Sequence, residues 1–186
     1  MQVSDNHRLD HVQTSTGLIY VIDLALDDDL KNKIEIFSTE SFSKNIVLDS
    51  YDFVEPLYNI CIEEFKKLDN EVKVKTLRRI LLARLPKGHS HADGIHRDYD
   101  ESNNWSFLVH LKGDSGDTCF YDSIIKDTAC KNVTFKPYRL IVFPSLYAHR
   151  GFTTTNLDRY TINFIVELDT KLNDKILEKS SKHIFN

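Results

Sequence analysis

Long apolar runs are missing from this chain. Nothing in it approaches the ~18 consecutive apolar residues that a membrane-spanning helix needs, so no membrane segment is expected. The opening stretch, Met1-Gln-Val-Ser-Asp-Asn-His7, is polar and has no apolar leader region. Cysteine is scarce. Cys61, Cys119 and Cys130 make an odd count without close pairing, which fits a reducing, cytoplasmic location and no disulfide framework. These thiols read as packed or partly buried groups rather than metal ligands. An excess of positive charge is also lacking. Against 24 Lys and Arg stand 28 Asp and Glu, a net charge of -4, whereas a dedicated nucleic-acid binder usually carries a basic stripe. Nucleic acid is therefore not expected as a partner. The one basic run, Lys66, Lys67, Lys73, Lys75, Arg78 and Arg79, reads as a solvated face. No repeat, low-complexity tract or linker divides the chain.

What is present is an ordinary globular composition, 41% hydrophobic and 28% charged over 186 residues. That length suits one domain spanning 1–186, able to bury about 70% of its unfolded surface. Residues 1–16 are polar and read as a loose arm, and residues 17–24 as a strand. Asp27, Asp28 and Asp29 precede Leu30, Ile34 and Phe37 at helical spacing, and acidic residues favour a helix N-terminus. A longer helix is expected over 52–68, where Leu57, Ile60, Cys61, Phe65 and Leu68 form one stripe and Pro56 lies near the first turn. From Lys75 onward the pattern changes to strands over 76–85, 105–112, 117–121, 132–136, 138–143 and 158–168. Helices followed by many short strands imply an α+β domain whose sheet part is a jelly roll. A last short helix is expected around Leu172, Ile176 and Leu177.

Two strands divide their faces in the same way. Tyr160, Ile162, Phe164 and Val166 form one face, apolar enough to pack against the two early helices, opposite Arg159, Thr161 and Asn163. Phe107, Val109 and Leu111 likewise lie opposite Ser106, Leu108 and His110. The repetition favours a polar cavity between two sheets over plain solvent exposure. His96 and Asp98, two apart on an extended segment, point to one side. A further histidine from a distant strand, His149, would complete a site of two imidazoles and one carboxylate, the ligand set of non-haem Fe(II) oxygenases. Zn or Mn could occupy such a site without being the working metal, while Mg and Ca are disfavoured. Ten residues past His149, Arg159 offers a planar fork suited to a carboxylate. Together these suggest an iron enzyme with a dicarboxylic co-substrate.

The segment Arg84-Leu-Pro-Lys-Gly-His-Ser-His-Ala-Asp-Gly-Ile-His-Arg-Asp98 resembles the turn into the first metal ligands of the prolyl-4-hydroxylase-like 2-oxoglutarate/Fe(II) dioxygenases. Trp105-Ser-Phe-Leu-Val-His-Leu111 and Ser115-Gly-Asp-Thr-Cys-Phe-Tyr-Asp122 are similar to the strands that follow. Tyr138-Arg-Leu-Ile-Val-Phe-Pro-Ser145, His149 and Arg159-Tyr-Thr161 resemble the family's last ligand and co-substrate anchor. The likeness covers about residues 75–168, in family order. It implies a double-stranded β-helix with N-terminal helices on the major sheet. It implies Fe(II) on His96, Asp98 and His149. It implies 2-oxoglutarate with its far carboxylate on Arg159 and Thr161, and release of succinate and CO2 as O2 is consumed; ascorbate is a further cofactor it allows. His110 falls where many relatives place a tyrosine that touches the far carboxylate, and contact or no contact are both open.

The chain departs from the family at Leu85, where a tyrosine is common, and at Ser115-Gly116, which replaces a Gly-Gly pair. Asp98 is present where halogenating relatives lack the carboxylate, so the resemblance implies hydroxylation. The substrate stays open. A prolyl or other amino-acid side chain of a protein is what the family suggests, and a free amino acid, a nucleobase or a small metabolite remains. His89-x-His91 resembles a cupin ligand pair, although the glutamate expected downstream is missing. The alternative from another class is accordingly a non-catalytic, cupin-like metal-binding jelly roll.

Overall fold

Side-chain alternation sets the middle of the fold. The structure, a computed structural model, describes residues 10–14, 17–37, 51–68, 70–88, 94–121, 129–152 and 156–169. Six antiparallel strands form the larger sheet. In chain order they are β1 (Asp10–Thr14), β2 (Gly17–Asp23), β3 (Lys73–Leu85), β4 (Asn104–Lys112), β7 (Arg139–Pro144) and β9 (Arg159–Asp169). Their spatial order is β1-β2-β7-β4-β9-β3. A smaller sheet, ordered β6-β5-β8, contains β5 (Thr118–Tyr121), β6 (Ala129–Val133) and β8 (Ala148–Gly151). The architecture is an α+β double-stranded β-helix, with both helices on the outer face of the larger sheet.

The helices are α1 (Asp28–Phe37) and α2 (Val54–Lys66). Asp27 caps α1, its Oδ1 accepting the Leu30 amide hydrogen at 2.8 Å. Pro56 is the third residue of α2, where no intrahelical donor is needed. Leu30, Ile34 and Phe37 on α1 and Leu57, Cys61 and Phe65 on α2 are all buried. They meet Phe107, Val109, Ile162, Phe164 and Val166 of the sheet in one core. Phe65 lies 5.3 Å from Phe107 and 5.8 Å from Trp105, and Tyr58 lies 5.3 Å from Phe164, ring centre to ring centre. Each fully buried side chain of this size contributes about 1.5–3 kcal/mol. A second, smaller core of Ile19, Leu108, Phe120, Ile141 and Phe143 fills the space between the sheets.

Several features differ from the pattern-based expectation, among them a β3 that begins three residues earlier than expected, at Lys73. Residues 10–14 are a strand rather than a loose arm, pairing with β2 in the register His11↔Tyr20. The ladder that holds them is main-chain, and an edge strand needs no apolar pattern of its own. β8 had no counterpart among the expected strands, because four residues are too few to show a period. β6 begins and ends three residues earlier than expected. The helix expected near Leu172 lies outside the described residues. Gly116 has φ +96°, so only the second residue of Ser115-Gly116 needs glycine's freedom. No helix among the described residues is long and apolar enough to cross a membrane.

Candidate metal centre

His96 and Asp98 lie on the segment leading into β4, and His149 on β8. Main-chain bonds bring them together. The His96 amide donates to the His149 carbonyl at 3.0 Å, and the His149 amide returns the bond at 2.9 Å, an isolated antiparallel bridge. The Asp98 amide donates to the Ser145 carbonyl at 3.0 Å. As a result the three side chains offer ligand atoms all within 4.8 Å of one another. His96 Nε2 is 3.7 Å from Asp98 Oδ1, and His149 Nε2 is 3.6 Å from Asp98 Oδ2.

The far ring nitrogens set the tautomers. His149 Nδ1 lies 2.9 Å from the Tyr147 carbonyl, and His96 Nδ1 lies 3.1 Å from the Gly94 carbonyl. A carbonyl only accepts, so each Nδ1 carries the hydrogen and each Nε2 turns a lone pair toward Asp98. Burial holds the His149 pKa below its ordinary value; the Asp98 charge opposes this and His96 reinforces it. Two imidazole lone pairs and a carboxylate converging on one point repel unless a cation lies between them. Histidines oriented by carbonyls through the remote nitrogen are the usual partners of a metal. The donor set therefore fits a divalent transition metal with open positions, and fits Mg or Ca poorly.

Arg159 forms the other end of the site. It is 2% exposed. Its Nη2 donates to Thr118 Oγ1 at 2.9 Å and to His110 Nε2 at 3.0 Å, and its Nη1 donates to the Phe152 carbonyl at 3.3 Å. Among the described residues no carboxylate pairs with it, and its Nε meets no hydrogen-bond partner. Burial lowers its pKa to about 10, against an opposing pull from Asp117 and Cys119. A buried cation without a counter-ion is costly, so this position calls for an anion. Gly151 makes room for the guanidinium: a Cβ there would collide with Nη1.

Asp98, His149 and Arg159 line one cavity with Leu85, Thr161 and Asn163. Water can enter about 90 Å³ of it, where a single water needs roughly 10–15 Å³. Leu85 supplies an apolar wall to the cavity. His110 stands behind Arg159. It accepts from Nη2 on Nε2, so its hydrogen is on Nδ1, and its ring stacks on Phe135 at 4.8 Å and 13°. Its pKa is well below the ordinary value, first through burial and then through Arg159 and Arg139. His89 and His91 lie outside the described residues. Thr118 and Gly151 were not picked out by pattern, since a threonine in a strand and a glycine at a strand end carry no chemical signature. The expected basic face is solvated: Lys66 pairs with Glu63, Lys67 with Glu64 and Arg78 with Glu167. Cys61 and Cys119 are free and buried.

No family model matches the chain, and no curated protein matches it. Solved structures do. A prolyl hydroxylase from Trichoplax adhaerens, in complex with a hypoxia inducible factor peptide fragment, matches with a TM-score of 0.54 at 13% identity, over 84% of this chain and 86% of its own. HygX from Streptomyces hygroscopicus, with nickel and 2-oxoglutarate bound, matches with a TM-score of 0.53 at 12% identity, over 83% and 82%. A prolyl 4-hydroxylase from Phytophthora capsici matches at 0.54 and 15% identity over 80% of this chain, which spans 58% of that longer one. The fold is not confined to oxygenases. The epimerase RmlC from Legionella pneumophila matches with a TM-score of 0.50 at 11% identity, over 89% and 74%.

Proposed function

We propose that this chain is an Fe(II)- and 2-oxoglutarate-dependent dioxygenase, one catalytic domain over 1–186, that hydroxylates a prolyl or other amino-acid side chain. One observation carries the reading. A two-histidine, one-carboxylate cluster and a buried arginine without an acidic partner among the described residues face the same cavity. An epimerase or a passive metal-binding jelly roll has no evident need for that pairing. The oxygenase neighbours, one of them with 2-oxoglutarate in its site, support the same reading.

His96, Asp98 and His149 would hold Fe(II), which when bound supplies the redox chemistry that couples decarboxylation of 2-oxoglutarate by O2, to succinate and CO2, with hydroxylation. The chain's own residues do the rest. Arg159, whose Nε and one Nη1 hydrogen are not engaged by Thr118, His110 or Phe152, receives the far carboxylate of the co-substrate in charge-assisted bonds, and the Thr161 hydroxyl donates a further one. His110 and Thr118 hold the guanidinium in place from behind, His110 staying neutral so that it can accept. Leu85 and Leu108 keep water from the walls between anchor and metal. Ascorbate would serve as an accessory reductant.

The test has two arms. Fe(II) is titrated anaerobically into wild type, His96→Ala and Asp98→Ala, and both variants are expected to lose metal affinity while staying folded. Calorimetry then follows 2-oxoglutarate binding with a redox-inert metal in the site. Arg159→Ala is expected to cost about 2–5 kcal/mol, roughly 30-fold to several thousand-fold, with Arg150→Ala near wild type. Unchanged 2-oxoglutarate affinity in Arg159→Ala, or no succinate from the iron-loaded protein and a peptide library, would overturn the proposal.

A further inference from the structure

Asp98 is gripped on one oxygen only. Ser106 on β4 donates its hydroxyl hydrogen to Oδ2 at 2.6 Å, and Asn163 on β9 donates an amide hydrogen to the same atom at 2.8 Å. Ser106 is 0% exposed and Asn163 5%. The Ser106 hydroxyl has a single hydrogen, and an ionised carboxylate is the strongest acceptor near it. The 2.8 Å contact between the Ser106 and Ser145 hydroxyls is therefore donated by Ser145. Ser145 also takes the amide hydrogens of Asp98 and Tyr99 on its carbonyl, at 3.0 and 3.3 Å. One serine thus holds Asp98 by its backbone directly and by its side chain through Ser106.

A carboxylate oxygen has two in-plane lone pairs, and on Oδ2 both are engaged. Each oxygen has a ligand histidine near it, His96 Nε2 at 3.7 Å from Oδ1 and His149 Nε2 at 3.6 Å from Oδ2, but only Oδ1 accepts no hydrogen bond among the described residues and keeps its lone pairs for a metal. Resting on the metal reading above, we infer that Ser106 and Asn163 are positioning residues that make Asp98 a one-oxygen ligand, bound through Oδ1. The consequence is a count. Two imidazoles and one carboxylate oxygen leave three positions of an octahedron for outside ligands, whereas a carboxylate bound through both oxygens leaves two. A chelating 2-oxo acid needs two by itself. The grip on Oδ2 is what keeps a third position open.

Mn(II) is the probe, because its electron-spin resonance lines broaden with each coordinated water when the water carries a magnetic oxygen isotope. The Mn(II)-loaded wild type, without co-substrate, is expected to hold three such waters. The double variant Ser106→Ala/Asn163→Leu frees Oδ2, and is expected to hold two as the carboxylate turns to bind through both oxygens. Ser106→Ala/Asn163→Ala, which also removes both donors, carries the same expectation should the first double variant not fold. Two waters in wild type, or three in either variant, would sink the inference while leaving the metal site in place. A wild type that does not bind Mn(II), or an Asp98→Ala variant that binds it equally well, would remove the metal reading and this inference together.

Discussion

Gly151 has no side chain, and Arg159 occupies the space one would take. Its backbone is not in the left-handed region, so alanine would fit the main chain and act purely by pushing the guanidinium aside. Gly151→Ala is expected to weaken 2-oxoglutarate binding by about 1–2 kcal/mol, roughly tenfold, with metal affinity unchanged. Calorimetry on the metal-loaded variant checks this, and wild-type affinity would show that the guanidinium can relocate freely. At this scale legibility followed chemistry. His96, Asp98, His149 and Arg159 are residue types with few bland roles in combination, and their order and spacing made them readable. Ser106 was readable only as part of the cavity face of β4, and Ser145 and Thr118 not at all, because small hydroxyl residues occur throughout strands and only three-dimensional contact reveals what they hold.

Among the elements, α2 bears most directly on the sheet that presents Arg159 and Asn163. Phe65 packs on Tyr20 of β2, at 5.4 Å, and on Trp105 and Phe107 of β4. Phe65→Ala is expected to cost about 3–5 kcal/mol of stability by leaving a cavity among those rings. Lys66→Ala, next in sequence but facing solvent with Glu63, should stay within about 0.5 kcal/mol. Denaturant unfolding of the two variants measures the contrast, and similar losses would mean that the helix is not held through Phe65. The helices and the polar face of β9 were legible because burial imposes a period of 3.6 or 2 on the side chains. β1 and β8 were not legible. β1 is fixed by ladder bonds to β2, and β8 by pairing with β5 and by the bridge to His96, and those contacts leave no trace in residue type.

Taken as a whole, the molecule should be acid-sensitive from two directions. His110 and His149 have pKa values below the ordinary 6.5, chiefly through burial. The unfolded chain therefore takes up protons first, and stability falls as pH drops below about 6.5. Asp23 and Asp158 act further into acid. Burial alone would raise Asp23, but hydrogen bonds from Arg139 and Lys136 outweigh it, and Asp158 is lowered first by the Lys87 amide and then by Arg84. Depressed carboxylates contribute stability above their unfolded value and lose it as pH falls through the folded one. Unfolding followed against pH in metal-free protein should show both slopes, and His110→Gln should flatten the upper one; a flat profile between neutral pH and the carboxylate range would contradict the burial of both histidines. The reciprocal bridge between His96 and His149 also has a kinetic meaning. Its two amide hydrogens are locked in one small ring and can exchange with solvent only when the ring opens, which parts the two imidazoles. They are a clock for how often the site comes undone. With metal at about 100 times its dissociation constant, both should slow by roughly 100-fold and in step, while the amides of β1 keep their own pace.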